Sequence, residues 1–189
     1  MLLGSEPAAF SLRCGSAPRS PGLHVSSVLR SIALKIGVLK PDDEEEELDP
    51  LNEDLPRSAV NRMAAGLAWE AWYGPQVCDL YHPGEYCVDG LYLTPDGVSF
   101  DPFRVIEIKY TWRSSAKDVS QHWVWMTQLK VYCHCMDTRL GELHACYCMG
   151  DYRGGGPLPM VHRFEFQKNE LEAVWRMILN EASRMRSQE

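Results

Sequence analysis

Glu107 and Lys109 lie in the stretch VIEIKYTW (105–112), whose alternating pattern is typical of a β-strand. Because side chains alternate across a strand, these two residues share one face, and the isoleucines beside them face the other way. The preceding predicted strand, near 86–93, carries Asp89 in an otherwise apolar row. If the two strands pair as a hairpin, the carboxylates of Asp89 and Glu107 converge, and such a pair repels unless a cation lies between them.

Paired carboxylates suit Mg²⁺ or Mn²⁺, which bind oxygen ligands and keep water molecules in an octahedral shell. A metal of this kind polarises a phosphoryl oxygen and lowers the pKa of bound water. Lys109 can orient or deprotonate that water and offset the charge that builds on the phosphate, while Ile108 offers its backbone carbonyl. The alternative is that Glu107 and Lys109 form only the solvent-facing side of a sheet.

Two predicted helices supply further polar candidates. The first, over 57–74, has an apolar stripe that continues onto Glu70, and a carboxylate there is costly to bury without a partner. The alternative is that Glu70 reaches solvent at the edge of the stripe. The second, over 119–136, has a polar and aromatic stripe that includes Gln128 and Tyr132. Such a stripe suits contacts to phosphates and bases, although it is also compatible with simple packing in the core.

These residues occur in a characteristic order along the chain: Glu70, then Asp89, then EIK (107–109), then QLKVY (128–132). The order resembles the D…(D/E)xK signature of the PD-(D/E)xK nuclease superfamily and the QxxxY helix of its RecB-like and lambda-exonuclease-like branch. The resemblance spans roughly 58–132. It departs from the family label in one place, since Val88 rather than proline precedes Asp89.

The resemblance implies a role for each matching residue. Asp89 and Glu107 would hold the divalent metal, Mg²⁺ or Mn²⁺, with the Ile108 carbonyl and Glu70 as additional ligands of the metal or its water. Lys109 would position or activate the attacking water. Gln128 and Tyr132 would hold the substrate strand or the geometry of the site. Arg113 and Lys117 follow the strand and are candidates for phosphate contacts, or else are ordinary surface cations.

The resemblance also implies a fold and a function. The expected fold is α/β: a restriction-endonuclease-like core with a central mixed sheet of four to five strands flanked by helices. We expect a flexible tail over 1–22 and one nuclease domain over 23–189 with an acidic linker at 41–56. The expected activity is metal-dependent DNA hydrolysis, as an exonuclease of phage or bacterial recombination and repair. By analogy, such enzymes form homo-oligomers and work beside a single-strand annealing protein.

Two other functions remain open at this stage. One is an endonuclease of the same fold that nicks or cuts branched DNA. The other is a non-catalytic nucleic-acid-binding module on a nuclease-like scaffold. His144, Cys146 and Cys148 would share one strand face and raise a third possibility, a Cys/His metal-binding protein.

Composition and charge are compatible with a DNA partner. The 189 residues suit one domain, and no apolar run approaches the ~20 residues that span a bilayer. The net charge of −7 includes nine acidic residues between Pro41 and Pro56, so the rest of the chain is close to +2. Seven cysteines without an apolar secretion signal favour a reducing compartment. We therefore expect a cytoplasmic protein of a bacterium or a phage-infected cell.

Overall fold

A computed structural model describes residues 19–39, 57–77 and 79–188 of the chain. The helices and strands follow one another as α1 (Val25–Lys35), α2 (Arg57–Tyr73), β1 (Tyr86–Val88), β2 (Leu91–Leu93), β3 (Gly97–Phe100), β4 (Phe103–Thr111), α3 (Trp123–Cys135), β5 (Leu140–Tyr147), β6 (Leu158–Glu165) and α4 (Lys168–Arg186). Most of the tail predicted at 1–22 and all of the acidic linker predicted at 41–56 lie outside the described residues.

The central sheet contains β3, β4, β5 and β6 in that order. Strands β4 and β5 are parallel, whereas β3–β4 and β5–β6 are antiparallel. The predicted α/β fold, with a mixed sheet of four to five strands flanked by helices, is therefore confirmed. Among the described helices, none is long and apolar enough to cross a membrane.

The alternation of β4 divides its residues between the two faces of the sheet. Val105, Glu107 and Lys109 point to the face covered by α3, where Val105 joins an apolar core with residues of α1, α3 and α4. Tyr110 points to the opposite face, where its ring lies 6.1 Å from that of Trp69 on α2. Helices thus cover both faces, and β4 contributes to both layers.

The strand arrangement before β4 differs from the prediction. The segment expected as one strand near 86–93 is interrupted at Asp89 and Gly90, whose φ angles are 51° and 75°. Two central residues with positive φ make the tight turn that joins β1 to β2, which is the usual role of an Asp-Gly pair. The Thr-Pro-Asp-Gly segment at 94–97 connects β2 to β3, and the hairpin partner of β4 is β3 and not the strand expected near 86–93.

Candidate active site

Glu107 and Lys109 form the centre of the candidate site. Glu107 is fully buried, and the Lys109 ammonium donates a hydrogen bond to its Oε1. The second oxygen, Oε2, is also buried and has no hydrogen-bond partner among the described residues. A buried carboxylate oxygen without a partner is costly. Because Glu107 is buried, the alternative that it forms only the solvent-facing side of a sheet is wrong.

Asp96, which the sequence analysis did not single out, is the second carboxylate of this site. It lies directly before β3, and one of its oxygens accepts a hydrogen bond of 2.6 Å from the backbone N–H of Ile108. Burial raises the pKa of Asp96, and the Lys109 ammonium opposes that rise. After burial, Asp96 is the largest cause of the raised pKa of Glu107. The hairpin of β3 and β4 thus brings Asp96 to Glu107.

Glu70 contributes a third carboxylate from α2. Burial raises its pKa to about 7, with a further increase from Asp96 and a decrease from Lys109. Lys109 itself is held in its charged form: burial lowers its pKa, but Glu107 and Asp96 outweigh that effect and leave it above the usual value. When the three carboxylates and the Lys109 ammonium are all ionised, the group carries three negative charges and one positive charge. Its net charge is then −2.

These residues fit a divalent cation with few protein ligands. No group of three or more His, Cys, Asp or Glu side chains among the described residues is arranged to hold a metal ion unaided. Magnesium commonly takes one or two carboxylates, several waters and substrate phosphates. Asp96 and the unpaired oxygen of Glu107 would supply the two carboxylates, and a charge of +2 would neutralise that net charge. The role of the Ile108 carbonyl remains a prediction.

The predicted meeting of Asp89 with Glu107 does not occur. Asp89 lies in the exposed turn between β1 and β2, and its carboxylate accepts a hydrogen bond of 3.1 Å from the indole N–H of Trp175 on α4. The physical reason is the pairing described above: β1 and β2 form a separate two-stranded sheet and do not pair with β4. Asp96 has the position beside Glu107 that was expected of Asp89.

Gln128 and Tyr132 lie on α3, the helix that covers the face of the sheet to which Glu107 and Lys109 point. The Gln128 amide donates a hydrogen bond of 3.0 Å to the Tyr132 hydroxyl. Tyr132 is only 4% exposed, and burial followed by the charge of Glu107 raises its pKa far above the usual value. A neutral, buried phenol beside Glu107 favours a role in holding the geometry of the site over direct contact with a substrate strand.

Arg113 and Lys117 follow the end of β4 and are both exposed. Burial lowers the pKa of His122, and the nearby charges of Arg113 and Lys117 lower it further, so two cations lie close to a neutral imidazole before α3. Exposed cations at this end of β4 are available for phosphate contacts. That role remains a prediction.

A network that the sequence did not reveal fixes α2 to the sheet. The Tyr73 hydroxyl, one helical turn after Glu70, lies 3.0 Å from Nδ1 of His144, and Nε2 of His144 lies 2.9 Å from Glu142. Burial lowers the pKa of His144 despite the opposing effect of Glu142, which favours the neutral ring. Neutral His144 can donate to Glu142 through Nε2 and accept from Tyr73 at Nδ1. Tyr73 and His144 thereby connect the helix that carries Glu70 to β5.

The same geometry weighs against a Cys/His metal site. Both ring nitrogens of His144 already have partners, and burial raises the pKa of the Cys146 thiol on the same strand. A protonated thiol is a poor metal ligand, because the thiolate is the binding form.

No protein-family model matches the chain, and no curated protein matches it in sequence. Among solved structures, it is similar to the alkaline exonuclease LHK-Exo from Laribacter hongkongensis, with a TM-score of 0.52, 12% identity, and coverage of 88% of this chain and 89% of that chain. The chain shares its fold with an exonuclease. The structure of LHK-Exo in complex with dAMP is similar too, with a TM-score of 0.51, 11% identity and the same coverage. At such identities the likeness is one of fold, and the chemistry rests on the residues of the chain itself.

One signal in the sequence could have identified Asp96. It follows Pro95, so Pro95-Asp96 and EIK (107–109) together match the PD and (D/E)xK parts of the superfamily label better than Val88-Asp89 does. The Thr-Pro-Asp-Gly pattern favoured a turn because proline and glycine are common there. A turn residue and a site residue are compatible, since Asp96 does lie between two strands.

Proposed function

We propose that this protein is a divalent-metal-dependent deoxyribonuclease of the RecB-like and lambda-exonuclease-like branch, acting on DNA as an exonuclease. The observation that carries the proposal is the convergence of Glu70, Asp96 and Glu107 around Lys109, with one oxygen of Glu107 buried and unpaired. The fold shared with LHK-Exo supports a nuclease, and the dAMP complex of that protein supports a nucleotide as the class of ligand.

Asp96 and Glu107 are the proposed ligands of Mg²⁺ or Mn²⁺, and Glu70 is proposed to hold the metal or a water molecule beside it. When bound, the metal supplies a Lewis acid for a phosphoryl oxygen and lowers the pKa of water. Lys109, held as an ammonium by its carboxylate neighbours, stabilises the negative charge that builds on the phosphate and orients the attacking water. Gln128 and Tyr132, hydrogen-bonded to each other on α3, are proposed to hold the geometry of the site near Glu107.

In the proposed reaction, the water oxygen attacks phosphorus, one P–O bond of the backbone breaks, and the leaving oxygen gains a proton from solvent. The products are a phosphate monoester on one side of the cut and a hydroxyl on the other. Work beside a single-strand annealing protein, a homo-oligomeric state and a cytoplasmic location in a bacterium or phage-infected cell belong to the same proposal.

The decisive experiment compares three DNA forms with Mg²⁺, Mn²⁺ or EDTA: end-labelled linear duplex, linear single strand and closed circular duplex. We expect progressive loss of linear DNA, none in EDTA, and loss of activity in Lys109→Ala and Glu107→Gln. Cleavage of closed circles would instead identify an endonuclease. Absence of metal-dependent cleavage would favour a binding module, and unchanged activity in both variants would contradict the site.

A further inference from the structure

A row of aromatic side chains lies directly beside the candidate site. The rings follow one another from α2 to the end of β4 as Trp72, Trp69, Tyr110 and Trp112, with centroid separations of 5.2, 6.1 and 5.1 Å. We call these four residues the aromatic row. The two ends are well exposed: Trp72 is 60% and Trp112 is 40% accessible to solvent. Large exposed aromatic side chains beside one another are typical of a binding surface.

The aromatic row is joined to the site through the backbone at two points. Trp69 is the immediate neighbour of Glu70 on α2, and Tyr110 is the immediate neighbour of Lys109 on β4. Trp112 lies three residues beyond Lys109, about 10 Å along an extended strand. Because neighbouring residues of a strand face opposite ways, the row begins at the end of β4 and continues over the other face of the sheet. A polymer held at the metal site can therefore reach Trp112 by passing the end of this strand.

Positively charged side chains lie near Trp112, one of the two exposed ends of the aromatic row. Arg113 follows Trp112 and is exposed, and Arg153 follows Tyr152, whose hydroxyl donates a hydrogen bond to the Trp112 carbonyl. Neither arginine belongs to an ion pair found within the described part of the chain. Exposed π-faces combined with cations are the chemistry that binds single-stranded nucleic acid, where bases stack and phosphates pair with arginine.

We infer that the aromatic row, through its exposed ends Trp72 and Trp112, is a stacking platform for unpaired bases, and that the preferred substrate is DNA with a single-stranded end. This inference rests on the proposed function and specifies its substrate. Bases in a duplex are stacked on one another, and their faces are not available to aromatic side chains. The aromatic row therefore binds unpaired DNA in preference to duplex DNA. Base–aromatic stacking tolerates any sequence, because every base has a π-face. The platform therefore selects the strand state and not the sequence.

The test is equilibrium binding in EDTA by the full-length protein, which separates binding from cleavage. The probes are a fluorescein-labelled oligothymidylate and a blunt duplex of equal length, followed by fluorescence anisotropy. Trp72→Ala and Trp112→Ala should each raise the Kd for the single strand about tenfold, with the duplex Kd changed less than twofold. Trp72→Phe and Trp112→Phe keep an aromatic face and should retain most of the single-strand affinity that the alanine variants lose. A merely structural role of these tryptophans would not require this result.

Phe100→Ala provides the matched control. Phe100 is 64% exposed and lies at the turn between β3 and β4, at the opposite end of β4 from Trp112. Its removal deletes an exposed aromatic ring away from the row and should leave both affinities unchanged. Thermal unfolding of every variant checks that binding is compared between folded proteins.

Several results would overturn the inference. An equal loss for single strand and duplex would remove the specificity for unpaired bases, and an equal loss in Phe100→Ala would remove the assignment to the row. Unchanged single-strand affinity in both tryptophan variants, or a changed oligomeric state as their sole effect, would show that DNA does not use this surface. If the wild type cleaves DNA and the tryptophan variants bind the single strand normally, the stacking inference is wrong and the proposed nuclease function stands. If the wild type cleaves no DNA while the variants lose single-strand binding, the proposed nuclease fails and the platform stands.

Discussion

Asp96 is tied to Ile108 by a hydrogen bond of 2.6 Å from the Ile108 backbone N–H to the Asp96 carboxylate. Ile108 lies between Glu107 and Lys109, so this contact holds a carboxylate from the start of β3 beside the two central side chains of β4. Asp89, by contrast, is held by Trp175 at the exposed turn of a separate sheet. The two aspartates therefore make a matched pair for testing the site.

Asp96→Asn should reduce metal-dependent cleavage of DNA by about 100-fold or more, in the range seen when one group that stabilises a transition state is removed. Asp89→Asn should change the rate less than about threefold, because asparagine keeps the polar contact and tolerates the positive φ of this position. Initial rates on linear DNA measure both. A large loss in Asp89→Asn with normal Asp96→Asn activity would reverse the assignment.

Metal should stabilise the protein more at alkaline than at acidic pH. The folded-state pKa of Glu70 is about 7, above the ordinary 4.5, and that of Glu107 is raised in the same direction. A raised folded-state pKa contributes stability that is present below pH 4.5 and is lost as pH rises through the folded-state value. Metal-free protein should thus lose stability between about pH 5 and 8, where added Mg²⁺ replaces the protons.

Thermal unfolding with Mg²⁺ or EDTA at pH 5.5 and pH 8 tests this linkage. The increase in Tm caused by metal should be clearly larger at pH 8. Glu70→Gln imitates the protonated group, so its metal-free Tm should fall less between the two pH values than that of the wild type. An equal metal effect at both pH values would argue against metal binding by these carboxylates.

Tyr73→Phe should weaken the attachment of α2 to the sheet. The change removes the hydroxyl that meets Nδ1 of His144 and leaves a buried ring nitrogen without this partner, which costs about 1–2 kcal/mol of unfolding free energy. Because Glu70 lies one turn earlier on α2, we also expect a higher Mg²⁺ concentration for half-maximal cleavage. Denaturant unfolding and a metal titration measure the two effects. A loss of stability with an unchanged metal requirement would mean that this contact does not position Glu70.

Glu181 provides a stability test away from the site. It accepts hydrogen bonds from Arg184 on its own helix and from Lys35 and Ser31 on α1, and these contacts lower its pKa to about 2. A lowered folded-state pKa contributes stability above pH 4.5 that is lost as pH falls toward 2. Glu181→Gln should lower Tm at pH 7 by roughly 2–4 °C.

The Glu181→Gln difference from wild type should shrink as pH approaches 3. Glu172→Gln, an exposed glutamate on the same helix, is the control and should have little effect at either pH. A Glu181→Gln deficit that persists unchanged at pH 3 would assign its effect to packing and not to charge.

The sequence predicted β4 and the helices well because their signals are local. Alternation in β4 and the periodicity around Glu70 follow from side-chain geometry within a single element. The position of Asp96 was missed because Thr94–Gly97 was interpreted only as a turn and Asp89 was placed within a strand, although Asp89-Gly90 is itself a typical hairpin turn and Pro95-Asp96 matches the family label. The contact between Tyr73 and His144 spans 71 residues and joins α2 to β5, two elements that only the folded sheet brings together. No local pattern encodes such a contact.

Neighbouring residues of β4 face opposite sides of the sheet, so one strand serves two separate surfaces. Odd-numbered positions such as 107 and 109 carry charged chemistry, while even-numbered positions such as 110 carry the aromatic surface. Side-chain substitutions at even positions can change the aromatic surface without altering the charged candidate site. Substitutions at odd positions can change that site without altering the aromatic surface. The pleat thereby separates two traits that selection or a protein engineer can adjust one at a time.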